Sequence, residues 1–236
     1  MYDGTDFFGW QSQKNQRTVQ DDIQSALADI FKVDNINLIG SGRTDAGVHA
    51  IGQVATFTYD TKMSSDQIKK ALNRKLPSDV FIKDCMSVNI DFNARFSAKK
   101  REYIYYITND YSPINRQYSW YCKWDFDKEK LNDCANILIG ENEFSFFSKA
   151  SSETKNKICH IYESNWNFEP NLTTYTIVGN RFLQHMVRLL VGTMIEVGRN
   201  RLSVKDFTDI LKCKDTNFHS VRAPALGLFL NRIYYD

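Results

Sequence analysis

GSGRTDAGVHA, residues 40–50, decides between two architectures. Were it a dinucleotide fingerprint, G-x-G-x-x-G opening a helix, the chain would be a doubly wound parallel fold. Gly40-Ser-Gly42 begins that way, but Asp45 takes the third glycine's place and puts a negative charge where pyrophosphate would sit. A P-loop must end in Gly-Lys-Ser/Thr, and the chain has no such run. Asp3-Gly-Thr5 is similar to a phosphatase-type D-x-D-G-T, but the first Asp would fall on Met1. All three phosphate-binding readings fail.

Outward from this stretch the pattern is α+β. Strand signals run over 36–39, 53–59, 81–90, 102–108, 158–168, 173–178 and 227–235, several with strict alternation. Helix signals begin at Thr18, with Ile23, Leu27 and Ile30 at helical spacing, and at Ser64 or Ser65, ending at Leu76-Pro77. Further helices are predicted over 128–138, 182–197 and 204–212. Long strands with few helices between them predict a largely antiparallel sheet. Each half reads as helix–strand–strand–helix–strand, with a break near 109–125.

Composition bounds the function. The 236 residues are 42% hydrophobic, with 16 Phe, 12 Tyr and 4 Trp, which is a folded chain. Net charge is only +2, so any nucleic-acid role rests on local clusters. Residues 93–101 carry Arg95, Lys99, Lys100 and Arg101 with no acid, and 181–201 carry Arg181, Arg188, Arg199 and Arg201 against Glu196. The ordinary reading of such runs is a solvated face. Five scattered cysteines without C-x-x-C predict reduced, mostly buried thiols, with neither disulfides nor a metal site. No signal peptide and no membrane-length apolar run is present, so a cytoplasmic protein is expected.

Two readings of the stretch remain. In one it is a hairpin with an Arg43–Asp45 surface pair, contributing about 0–1 kcal/mol. That leaves the absence of bulky side chains unexplained. In the other, small residues admit another backbone closely, and Asp45, hydrogen-bonded by loop amides beside Arg43, stays ionised and meets a large substrate. Far along the chain, helical spacing over 181–199 places Arg181, His185, Arg188, Gly192 and Arg199 on one stripe of an apolar helix. A buried Arg188 needs a partner; Asp45 and a structural glutamate are equal candidates.

Gly42-Arg-Thr-Asp-Ala-Gly-Val-His-Ala50 also resembles the signature of TruA-type tRNA pseudouridine synthases. Tyr2-Asp-Gly-Thr-Asp-Phe-Phe-Gly-Trp-Gln11 with Thr18-Val-Gln20, Phe92–Ala98 with Arg101-Glu-Tyr103, Phe182–Arg188, and Ala223–Leu230 resemble its other blocks, in order across the chain. The resemblance implies Asp45 as the catalytic aspartate and Tyr103 stacked on the target uracil. Arg188 would lie beside the Asp45 carboxylate, Arg43 would help hold the flipped nucleotide, and Leu228 would wall the pocket. The implied fold is α+β: two ferredoxin-like halves, 1–108 and 109–236, sharing a central, mainly antiparallel sheet with helices on one side and the cleft between the halves. The implied reaction is conversion of uridine to pseudouridine at positions 38, 39 and 40 of the tRNA anticodon stem-loop, by a homodimer without metal or cofactor. Family members carry residues ahead of the Tyr-Asp-Gly-Thr block that supply a first strand. A start at Met1-Tyr2 leads us to expect that strand to be missing or shortened. Asn93 and Gln184 stand where histidine is common, so neither is assigned a catalytic task.

The chemistry asks for a carboxylate against the ribose, a dry pocket for the freed base, and a flipped nucleotide. Lys99, Lys100, Arg101, Arg181 and Arg199 are candidate phosphate contacts. An inert RNA-binding protein of the same fold is the alternative, and a nucleotide-sugar or phosphoryl enzyme a remote third. His49 and His160 are read as ordinary hydrogen-bonded residues, His219 as surface, Phe144-Ser-Phe-Phe147 as core, and Trp10 as packed under the loop.

Overall fold

The computed structural model of the chain describes residues 1–149, 154–213 and 219–236. The chain forms two compact units, Met1–Lys99 with Leu230–Asp236, and Lys100–Phe229. Against the expected halves of 1–108 and 109–236, the division falls before the long strand that starts at Lys100, and the last seven residues return to the first unit.

The first unit holds helix α1 (Val19–Phe31), strands β1 (Ile39–Gly40), β2 (His49–Ala50) and β3 (Ala55–Thr56), and helix α2 (Ser65–Lys75). Thr18 caps α1 by accepting from the Asp21 amide. Ser64 and Gln67 close a capping box at α2, which stops at Leu76 ahead of Pro77. Val19, Ile23, Ala26, Leu27, Ile68 and Leu72 are the buried helix positions; Ile23, Leu27, Ile68 and Leu72 were predicted by helical spacing, whereas Ile30 is only half-buried.

Strand expectations in this unit are corrected downward. Runs 36–39 and 53–59 shrink to β1 and β3, and 81–90 forms no strand. Phe81 exchanges backbone hydrogen bonds with Met1, and Ile82 donates to the Asn73 side chain. Beyond Lys83 no ladder partner appears among the described residues, and Met86, Val88 and Ile90 are exposed. Alternation alone cannot make a strand, because the backbone needs a neighbour to bond.

The second unit holds β4 (Lys100–Thr108), β5 (Trp120–Tyr121), α3 (Lys128–Ile137), β6 (Gly140–Glu143), β7 (Ile158–Phe168), β8 (Leu172–Gly179), α4 (Met186–Gly198) and α5 (Val204–Leu211). Strand β9 (Leu228–Tyr234) begins there and crosses into the first unit. Strands β4, β8, β7 and β6 follow one another in antiparallel order, and β5 pairs with β4 in parallel. This is the mainly antiparallel α+β arrangement the strand lengths predicted. Along β4, Tyr103, Tyr105 and Ile107 are buried, while Glu102, Ile104 and Tyr106 are half-exposed. Register pairs Tyr103 with Ile177 and Tyr105 with Tyr175, so one face of the sheet is continuous aromatic and aliphatic core.

Helix α4 corrects another expectation. It starts at Met186, not 182, because His185 adopts a left-handed conformation (φ 67°) that ends regular helix geometry on its N-terminal side. Arg181 and His185 therefore lie off the helix, and the five-residue stripe reduces to Arg188 and Gly192, with Arg199 at the C-cap. Nearly every α4 side chain is buried. Helix α3 packs against α4, α5 and β7, with Leu131, Cys134, Leu190, Met194 and Phe207 fully enclosed.

Candidate active site

In the first unit, the N-terminal block cradles the small-residue loop. Tyr2 exchanges both backbone hydrogen bonds with Ala50, Trp10 N–H donates to Thr44 O (3.1 Å), and Gly47 N–H donates to Phe7 O (3.1 Å). A Cβ on Gly4 would lie under 3.0 Å from Val48 O, and one on Gly9 under 3.0 Å from Thr44 O. Gly9 also has φ 89°, which favours glycine. Gly40 faces the Trp10 ring so closely that a Cβ there would overlap it. Trp10 is thus the floor beneath the loop, as expected.

The loop's far side is tied by Gln53. Ser41 Oγ donates to Gln53 Oε1 (2.7 Å), and Gln53 Nε2 donates to Gly42 O (2.9 Å). Tyr2 Oη and Thr44 Oγ1 stand 2.7 Å apart, both buried. Burial pushes the Tyr2 phenol well above its ordinary pKa, against the opposing hydrogen bonds from Thr44 and Gln53. Asp45 follows Thr44 and is half-buried; its carbonyl accepts from Val48 N–H, closing a turn with Gly47 at φ 74°. Arg43 is exposed. His49 is buried, accepting at Nδ1 from Gly4 N–H and lying 3.1 Å from Asp3 Oδ1.

In the second unit, Arg188 and Gly227 lie near Tyr105. Tyr103 lies two residues along the same buried face and meets Phe182 edge-on, with ring centroids 5.1 Å apart. The Arg188 charge acts on the Tyr105 phenol, whose pKa burial nonetheless raises well above normal. Gly227 passes the Tyr105 ring and Tyr106 O where a Cβ would come within 2.8 Å and 2.7 Å, delivering Leu228 buried at the start of β9. Arg188 Nε donates to Ala223 O (2.9 Å), and Ala223 N–H donates to Arg188 O (2.9 Å).

The basic residues divide by their engagement. Lys99 is exposed, and Arg181 half-exposed. Lys100 lies over the Tyr162 ring at 4.6 Å, and Arg101 Nη1 donates to Asn180 O (2.8 Å). Arg199 stacks over Trp124 at 3.5 Å and pairs with Glu196 at 2.8 Å, leaving its side chain 9% exposed. Sequence reasoning overlooked Arg222, whose Nη1 lies 3.3 Å from His185 Nδ1. It also overlooked Gln53 and Thr193. Nothing local marks them, because each acts through a partner distant in sequence.

Other expectations resolve simply. Phe144 and Phe147 are core, whereas Phe146 is exposed. His219 is exposed. Cys122, Cys134 and Cys159 are buried free thiols, and Cys85 and Cys213 are partly exposed. No group of three or more His, Cys, Asp and Glu able to hold a metal occurs among the described residues. No helix among them is long and apolar enough to cross a membrane.

The first unit thus carries a half-buried carboxylate, Asp45, on a braced loop, and the second a guanidinium, Arg188, tied to a backbone carbonyl. The tRNA pseudouridine synthase family matches residues 1–97 and 134–236. Curated relatives named tRNA pseudouridine synthase A match the whole chain. The one from Geobacillus sp. (strain WCH70) is 38% identical over 237 residues, covering 100% of this chain and 96% of the relative. That from Bacteroides fragilis is 41% identical over 236 residues, covering 99% and 93%. That from Caldicellulosiruptor saccharolyticus is 39% identical over 236 residues, covering 99% and 96%. The chain belongs to the tRNA pseudouridine synthase family. Asp45, Arg188 and Leu228 lie inside the family match, while Tyr103 lies between its two matched stretches.

Proposed function

We propose that this chain isomerises uridine to pseudouridine in tRNA, at positions 38, 39 and 40 of the anticodon stem-loop, with Asp45 as the catalytic group. The reaction breaks the N1–C1′ bond and joins C5 to C1′, with nothing oxidised or hydrolysed. A stacked uridine is out of reach, so the nucleotide is flipped out at a cost of a few kcal/mol. The small side chains of 40–50 make room for its sugar and base.

The observation that carries this reading is the placement of Asp45. Its loop is pinned by Phe7, Trp10 and Gln53 and, apart from the exposed Arg43, holds only small side chains around Asp45 from Gly40 to Gly47, and a carboxylate on a pre-organised backbone loses little in reorganising when substrate arrives. On the same reading Tyr103 stacks on the uracil, Leu228 walls the pocket, Arg188 orients the Asp45 carboxylate and Arg43 helps hold the flipped nucleotide. Lys99, Lys100, Arg101 and Arg181 contact phosphates, with Arg199 offering the least surface. The chain works without a cofactor, as a homodimer, in the cytoplasm.

The test is Asp45→Asn, assayed by mapping pseudouridine in an unmodified tRNA transcript alongside a binding measurement. We expect modification to vanish and binding to stay within about threefold, since the carboxylate contributes no phosphate contact. Near-normal modification by the variant would refute the assignment. A wild-type protein that binds tRNA but modifies none would instead mark an inert RNA-binding protein.

A further inference from the structure

Gly192 and Thr193 interrupt the apolar run of α4, and the reading above uses neither. Glycine is among the poorest helix formers, and a mid-helix threonine bonds back to its own turn. Both oddities face the same neighbour. A Cβ on Gly192 would lie 2.7 Å from Ala223 N, and closer still to Val221 O. Thr193 is fully buried; its hydroxyl donates to Leu189 O (2.7 Å) and accepts from Val221 N–H (2.9 Å). Ala223 N–H then donates to Arg188 O, and Arg188 Nε donates to Ala223 O. One residue on, Pro224 O accepts from the Tyr105 hydroxyl (2.8 Å).

The segment 221–224 is therefore laid against α4 and fastened at both ends, by Thr193 and by Tyr105. Between those ends it grips Arg188 twice. A guanidinium is planar with five N–H donors in fixed directions. Committing Nε to one carbonyl therefore sets the plane, and with it the heading of the four Nη N–H bonds. Gly192 sets the depth at which the segment lies, and Thr193 sets its position along the helix.

We propose that Gly192 and Thr193 are positioning residues, which through Val221 and Ala223 hold the Arg188 guanidinium in the orientation the reaction requires. This rests on the reading of Arg188 as part of the catalytic site. The two are separable, because the bracket and the arginine can be altered independently.

The experiment measures single-turnover rate and tRNA affinity on the full chain with an unmodified tRNA transcript. The variants are Thr193→Val, Thr193→Ser, Gly192→Ala, Arg188→Lys and the Thr193→Val/Arg188→Lys double. Thr193→Val keeps the shape but removes the acceptor of Val221 N–H. It is expected to slow the step roughly tenfold with affinity unchanged, while Thr193→Ser restores the rate. Gly192→Ala, which must displace the segment, is expected to cost about 100-fold, the scale of an ångström's misplacement. Should Gly192→Ala fail to fold, the Thr193 pair carries the test. In the Arg188→Lys background, Thr193→Val should slow the step by less than about twofold, since the group it positions is already gone. An equal loss in both backgrounds would reduce Thr193 to a packing role and overturn the proposal, as would a wild-type rate for Thr193→Val. An Arg188→Lys variant with wild-type rate would instead overturn the reading of Arg188, and the proposal with it.

Discussion

Removing the Tyr2 hydroxyl with Tyr2→Phe should loosen the loop that carries Asp45 without touching any substrate group. Tyr2 Oη and Thr44 Oγ1 are 2.7 Å apart, and both residues are buried. Tyr2 keeps Gln53 as a second hydrogen-bond partner. Stranding a buried hydroxyl costs about 1–3 kcal/mol, whereas replacing both partners by apolar groups of like shape is close to neutral. Tyr2→Phe strands Thr44 and should cost about 1.5 kcal/mol. Thr44→Val leaves Tyr2 with Gln53 and should cost about 1 kcal/mol. The double variant should cost about 1.5 kcal/mol and not the sum, a coupling of about 1 kcal/mol. For a chain of this length each kcal/mol lowers Tm by roughly 2–4 °C. Tyr2→Phe and the double variant should therefore both melt about 3–6 °C below wild type, followed by near-ultraviolet circular dichroism. A double variant whose loss equals the sum of the singles would show that the two hydroxyls do not support each other, and the account of how the loop is held would fail.

Raising salt from 50 to 200 mM should weaken tRNA binding by about tenfold or more if several phosphates are neutralised, and a flat titration would contradict the basic contacts. Because burial pushes the Cys134 thiol up to about 12 and Cys159 up to about 11, neither should react with an aromatic disulfide reagent in the native protein. Such a reagent should titrate two of the five thiols, Cys85 and Cys213, and all five in denaturant; fast reaction of a third native thiol would count against the buried assignment. Ser203→Ala removes the reciprocal cap of α5 and should cost about 1 kcal/mol at neutral pH. Hydrogen bonds from Ser203 hold the Asp206 carboxyl below its ordinary value. Its contribution is therefore present above the unfolded carboxylate range and is lost as pH falls through the folded value. The gap between wild type and Ser203→Ala should thus narrow in acid, and a gap that widens there would contradict the cap.

Helices were legible because their signals are local. Thr18, Ser64, Asp127 and Ser203 cap α1, α2, α3 and α5 through residues two or three positions away. Strands β4, β7 and β8 were legible because each is long enough for alternation to show. In the run 81–90, Met86, Val88 and Ile90 alternate with Ser87 and Asn89 and yet form no strand, since pairing depends on a neighbour that no window of sequence contains. Asp45 stood out as the one carboxylate among small residues, and the blocks around it announced the family.

The sequence by itself determined the helices and the long strands β4, β7 and β8, the family and the candidate reactive group, all of which rest on near neighbours or on quoted motifs. Only the tertiary structure decided how those groups are held. Trp10 and Gln53 brace the Asp45 loop from opposite sides, His185 turns left-handed and delays α4, and segment 221–224 grips Arg188 across a gap of more than thirty residues. Hydrogen bonds reach about 3 Å in space but have no fixed reach along the chain. A glycine in a helix or a threonine in a core therefore acquires meaning only when its neighbour is in place.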